Sequence, residues 1–131
     1  MTRILSVDDS STMREVVKLA LKLAGFEVAQ ANDGKEALKL AQESQFDLVL
    51  ADVNMPNMDG IELIRALRAE EKYKSVPILM LTTESDLVRR HEGKSAGATG
   101  WIVKPFLPDR LVEAVHKALG RPYQPPQQKA Q

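Results

Sequence analysis

The sequence predicts an α/β domain: a doubly wound, five-stranded parallel sheet with a helix after each strand. Three observations predict it. Short apolar runs alternate with segments of helical period in strict order along the chain, five times over. The third run, Phe46 to Ala51, is apolar except for Asp47, as in a strand covered on both faces at the centre of a parallel sheet. Four of the runs end in a residue equipped for chemistry: Asp8 and Asp9, Asp52, Thr82, and Lys104. Parallel strands share one carboxyl-terminal edge, where ligands of such sheets bind.

Bulk properties narrow the functions. At 131 residues the chain is one domain with room for a substantial core. Eighteen basic residues balance eighteen acidic ones, so no overall field favours nucleic acid or an anionic membrane. No apolar run approaches membrane-spanning length and no secretion signal opens the chain. The absence of cysteine excludes disulfides and thiolate metal sites and fits a cytoplasmic protein.

Taken in order, Ile4, Leu5 and Val7 form the first strand. Ser10 or Ser11 caps a helix with Met13, Val16, Val17, Ala20 and Leu23 on one face, stopped at Gly25. Phe26 to Ala31 is the second strand. Asp33 and Glu36 stand at capping-box spacing before a helix that buries Ala37, Leu38, Leu40 and Ala41. After the central strand, Asn54, Pro56, Asn57, Asp59 and Gly60 are turn chemistry. Asp59 and Glu62 repeat the capping-box spacing, and Ile61, Ile64 and Leu67 mark the third helix. Val76 to Leu81 is the fourth strand, with Pro77 near its start. The helix at about Ser85 to Ala96 is the weakly packed one, with Leu87, Val88 and Ala96 as its main apolar residues. Trp101 to Val103 is the fifth strand. Pro108 opens the last helix, Leu111, Val112, Val115 and Leu119 line it, and Gly120 follows it. Arg121 to Gln131, rich in Pro and Gln, is expected to be a disordered tail.

The strand ends gather three carboxylates, a hydroxyl and an ammonium on one edge. Two carboxylates about 4 Å apart repel by roughly 4 kcal/mol at an effective dielectric near 20, so a cation must offset them. Lys104 offsets part. A site with few protein oxygens and room for water and phosphate suits Mg²⁺. Such a set also suits phosphoryl transfer to a carboxylate, with cations on the oxygens where charge gathers. The product is an aspartyl phosphate on Asp52.

With VDDSSTMR, the ADVNMPNMDG loop, LTT and VKPF, the chain from Arg3 to Leu119 resembles a response-regulator receiver domain of the single-domain chemotaxis (CheY-like) type. The resemblance implies the flavodoxin-like strand order 2-1-3-4-5, a receiver domain over residues 1–120 and a tail over 121–131. It implies that Asp52 is phosphorylated by a histidine kinase. Mg²⁺ would be held by Asp9, Asp52 and the Asn54 main-chain carbonyl, with Asp8 acting through a water. Thr82 and Lys104 would hold the phosphoryl oxygens, and the Lys104–Pro105 bond would be cis. Asn54 and Glu84 would tune dephosphorylation. Thr82 and Trp101 would form the switch, although Trp101 stands where this family usually carries Tyr or Phe. The implied role is a phosphorylation-activated, monomeric two-component signalling protein of the cytoplasm. It would lack enzymatic activity beyond its own phosphorylation and dephosphorylation. Its target, with the flagellar motor switch as the candidate, would bind the face formed by the fourth helix, fifth strand and fifth helix.

Other readings compete. A phosphorelay shuttle or phosphate sink uses the same residues. An Asp-nucleophile phosphohydrolase needs a general acid two residues on, where this chain has Asn54. A nucleotide or flavin binder is disfavoured by the glycine-free first turn, DDSST. A scaffold without chemistry is at odds with the complete residue set. Arg89 and Arg90 are expected to be a solvated basic surface, His91 and His116 to be surface residues, and Met55, Met58 and Met80 to fill packing space.

Overall fold

The computed structural model describes residues 1–55, 57–83 and 85–123. Among these, strands and helices alternate: β1 (Arg3–Val7), α1 (Ser11–Leu23), β2 (Glu27–Ala31), α2 (Gly34–Glu43), β3 (Leu48–Asp52), α3 (Gly60–Arg68), β4 (Ile78–Thr83), α4 (Leu87–Ala96), β5 (Gly100–Lys104) and α5 (Pro108–Ala118). The sheet runs β2-β1-β3-β4-β5, parallel throughout. The predicted fold class and strand order are those observed. β3 lies at the centre and is buried along its whole length, which accounts for its unbroken apolar run.

The strands alternate between two cores. Leu48 and Leu50 of β3 join Ile4, Leu79, Leu81, Val17, Leu21, Leu111 and Val115, so α1 and α5 cover one face. Val49 and Ala51 join Leu5, Val7, Met80, Ala37, Ile61, Ile64 and Leu67 on the other, under α2 and α3. Met80 is buried, and Met55 and Met58 pack on this second core.

Caps set the helix starts. Ser10, of the two candidates, caps α1 by accepting from the Met13 N–H at 3.2 Å. Asp33 caps α2, but Glu36 reaches back to the Asn32 N–H at 2.6 Å instead of closing a box on Asp33. Asp59 and Glu62 do form the reciprocal box at α3, at 3.1 and 2.9 Å. β4 starts just after Pro77, and the Lys104–Pro105 bond is cis. Arg121–Tyr123 lie beyond α5; residues 124–131 of the expected tail fall outside the described residues.

Four sequence readings need correction. On α1, Val16 and Leu23 face solvent, and Leu21 is buried with Val17 instead. Leu87 and Val88 do not pack α4: they are 66% and 72% exposed. Its one buried residue is Gly93, where a Cβ would strike the Met80 sulfur, so the helix approaches the sheet through a missing side chain. Ala96 packs on the second core at one end, and polar links hold both ends. At the carboxyl-terminal end Arg68 donates to the carbonyls of Gly97 at 3.0 Å, Tyr73 at 2.6 Å and Val76 at 2.7 Å. At the amino-terminal end Arg89 is not solvated but lies half-buried, 2.8 Å from Asp59. His116 is also half-buried, against the rings of Phe26 and Tyr123 at 5.4 and 5.5 Å. His91 is exposed, as expected.

Candidate functional site

The strand register delivers the predicted residues to one edge. Val7 pairs with Ala51, so the chain leaves β1 into Asp8 and Asp9 beside the end of β3. Asp52 pairs with Leu81, which sets Thr82 one residue further along the neighbouring strand, and Thr83 pairs with Lys104. Carboxylate oxygens of Asp8, Asp9 and Asp52 all lie within 4.8 Å of one another. Asp8 and Asp52 are buried and Asp9 is exposed, so the cluster is a pit open on one side.

Each carboxylate has a distinct setting. Asp52 Oδ2 accepts from Lys104 Nζ at 2.6 Å, and its Oδ1 accepts from the Asn54 N–H at 3.0 Å. Asp8 Oδ1 accepts from the Ser10 N–H at 2.9 Å, while its Oδ2 is buried with no hydrogen-bond partner among the described residues. Burial pushes the Asp8 carboxyl above its ordinary value of 3.8. The Ser10 N–H opposes this, and the charges of Asp52 and Asp9 add to it. Arg14 fixes the turn by donating to the Asp8 carbonyl at 2.7 Å. Thr82 is buried, its hydroxyl making, among the described residues, only a long 3.4 Å contact with the Thr83 carbonyl.

A buried, unsatisfied carboxylate oxygen beside two further carboxylates is a costly arrangement without a cation. Oxygen donors with one open side match a hard divalent ion that keeps part of its water, and the residues therefore fit Mg²⁺.

The structure brings together Asp8, Asp9, Asp52, Lys104 and the Asn54 backbone; Thr82 lies one residue before the end of the adjacent strand. Trp101 stands apart. It is 40% exposed on the edge strand, with Arg90 at 5.5 Å and Lys94 at 5.8 Å from its ring centre. Glu84 lies outside the described residues. Sequence reasoning missed Arg14, Arg68 and Arg89. For Arg89 the one available signal was that a helix so poor in buried apolar residues needs polar anchorage.

Comparison with known proteins agrees with this geometry. Residues 4–116 match the family of the response regulator receiver domain. The chain is 43% identical over 120 residues to a chemotaxis protein CheY of Pseudomonas aeruginosa, covering 91% of this chain and 97% of that one. Among solved structures, the chemotaxis response regulator CheY4 of Vibrio cholerae superposes with a TM-score of 0.86 at 48% identity, covering 90% and 98% of the two chains. The receiver domain of a Pseudomonas aeruginosa sensor histidine kinase, which holds a magnesium ion in its active-site cleft, gives 0.85 at 29% identity and coverage of 91% and 98%. The chain belongs to the response-regulator receiver domain family. It is, accordingly, a phosphorylation-activated response regulator.

Proposed function

We propose that this protein is the diffusible switch of a chemotaxis pathway, with Asp52 as phosphoacceptor for a histidine kinase. The observation that carries the reading is the Lys104–Asp52 contact beside the Asp8–Asp9–Asp52 cluster. The kinship with chemotaxis proteins supports the pathway.

In the proposed reaction an Asp52 oxygen attacks phosphorus, the bond from phosphorus to the donor histidine nitrogen breaks, and that nitrogen keeps the electron pair. Lys104 leaves Asp52 Oδ2 and follows the negative charge to a phosphoryl oxygen. The Thr82 hydroxyl donates to another. Asp9, Asp52 and the Asn54 carbonyl are the residues that would hold Mg²⁺, with Asp8 acting through a water. The ion supplies neutralisation of the clustered negative charge. Dephosphorylation passes Asn54 and Glu84, and Thr82 and Trp101 carry the change outward.

Residues 1–120 act as the receiver and 121–131 as a tail. The protein works as a cytoplasmic monomer, does no chemistry but its own phosphorylation and dephosphorylation, and presents the α4–β5–α5 face to its target, such as a flagellar motor switch. Among the described residues no helix is long and apolar enough to cross a membrane. Acetyl phosphate with Mg²⁺ should add one labile phosphate, seen by mass, that Asp52→Asn abolishes. Sustained phosphate release from many substrates, or no adduct at all, would refute the reading.

A further inference from the structure

Arg89 is tied to three places at once. Its Nη2 lies 2.8 Å from Asp59 Oδ2 and donates to the Val53 carbonyl at 3.2 Å, while Nη1 reaches Glu92 at 3.4 Å within the same helix. Val53 follows the phosphoacceptor and Asp59 caps α3, so one guanidinium joins the first turn of α4 to both ends of the loop after β3. Both partners of the ion pair are 26% exposed in their side chains, which shields the pair from much of the solvent.

The two sides of this contact are differently mounted. Asp59 is rigid: it is locked in the α3 capping box, and the adjoining Gly60 donates its N–H to the Val53 carbonyl at 3.1 Å. A Cβ on Gly60 would run into the Asp52 main chain, so the start of α3 is seated directly on the end of β3. Arg89 is mounted on the helix with the least buried apolar surface, whose one buried residue is Gly93. The Asp86 N–H donates to the Thr83 carbonyl at 3.2 Å, and the Asp86 side chain accepts from the Arg89 N–H at 3.1 Å. Thr82, Thr83, the Asp86 cap and Arg89 are therefore mechanically in series. When Thr82 is drawn toward a phosphoryl group, the first turn of α4 is drawn with it while Asp59 stays. A shift of about 1 Å takes a charge-assisted hydrogen bond at 2.8 Å out of range if the Arg89 stem keeps its conformation.

We infer that the Arg89–Asp59 contact is a clasp that holds α4 in its resting position, and that switching releases it. Arg89 is thus a positioning residue, acting through the loop and not on the phosphoryl group. The inference rests on the proposed role of Asp52 and Thr82. A contact made in only one of two states favours that state by its full worth, so its removal lowers the ligand concentration needed to reach the other.

The test is a beryllium fluoride titration of the full chain in saturating Mg²⁺, with bound fluoride read by ¹⁹F NMR. Arg89→Met keeps the aliphatic stem, and Asp59→Asn keeps a capping side chain. Each single variant should lower the midpoint about fivefold, the low end of usual coupling. The double variant should fall no further than either single one, because one contact is being removed twice. Arg89→Lys should lie between wild type and Arg89→Met. A merely structural role predicts lower urea stability with an unmoved midpoint, and that result, or additive shifts, overturns the clasp. Failure of the wild type to bind beryllium fluoride at all overturns the Asp52 reading, and the clasp with it.

Discussion

Lys104 Nζ and the Asn54 N–H each hold one oxygen of the Asp52 carboxylate, at 2.6 and 3.0 Å. Each oxygen still keeps a free lone pair, so the proposed nucleophile is held in place at rest yet stays open to a metal ion and to phosphorus. The lysine is the partner that can travel: its four-carbon stem lets the ammonium follow the charge as it passes from carboxylate to phosphoryl. The Asn54 N–H belongs to the backbone and stays with the loop.

Replacing Asp52 with Asn should abolish phosphorylation and leave the fold intact. The amide oxygen can still accept from the Asn54 N–H, the repulsion with Asp8 and Asp9 is relieved, and Lys104 is exposed enough to regain water. Metal-free stability in urea should be unchanged or raised by about 1 kcal/mol at most. A clear loss would mean that the Lys104 pair contributes more to the fold than the clustered charge costs it.

Asp8 contributes one part of the pH dependence of the metal-free protein. Its folded carboxyl titrates above its ordinary value of 3.8, chiefly because it is buried, so the native state holds a proton that the unfolded chain has released. The Asp8 contribution to stability therefore falls as pH rises from about 4 through the folded value. It is opposite in sign to that of Asp33 and Asp59, whose carboxyls are held below the ordinary value. Asp8→Asn should flatten that part of the profile and raise metal-free stability above it. Saturating Mg²⁺ should also offset the loss in the wild type, by mass action on the native state. Urea midpoints across pH, with chelator and with Mg²⁺, measure both effects.

Asn54 and Glu84 are expected to flank the path of the water that removes the phosphate. Bulky or basic replacements at either position should prolong the phosphorylated state severalfold in a decay followed by mass. Decay rates indifferent to both positions would remove them from the hydrolysis path.

Trp101 should report on α4, because Arg90 and Lys94 of that helix lie against its ring. Mg²⁺ alone should change its emission modestly and beryllium fluoride with Mg²⁺ distinctly more, both only when Asp52 is present. Identical spectra in every state, with phosphorylation confirmed, would make Trp101 a static residue of the edge strand.

Most of the fold was legible because its signals are local. The apolar run into Asp52, the capping pair Asp59 and Glu62, and Pro108 at the start of α5 each specify their own neighbourhood. The acidic cluster was legible too, since a parallel sheet brings all strand ends to one edge whatever their order in the chain. The polar anchors were not. Arg68 reaches Gly97 and Arg89 reaches Asp59 across about thirty positions, and nothing in periodicity or spacing marks which of many arginines will be buried. Leu87 and Val88 misled for the complementary reason. Apolar residues are the usual glue of a helix, yet α4 turns these two outward and meets the sheet through Gly93.

The two arginines at the ends of α4 differ in what they hold. Arg68, half-buried like Arg89, feeds neutral carbonyls, so dissolved ions have no ion pair to screen there. Arg89 faces a carboxylate that solvent still reaches, and counterions can screen that attraction. The helix consequently has a less salt-sensitive pivot at one end and a more salt-sensitive catch at the other. The ease with which it swings is then set partly by the ionic strength of its surroundings, apart from any signal arriving at Asp52.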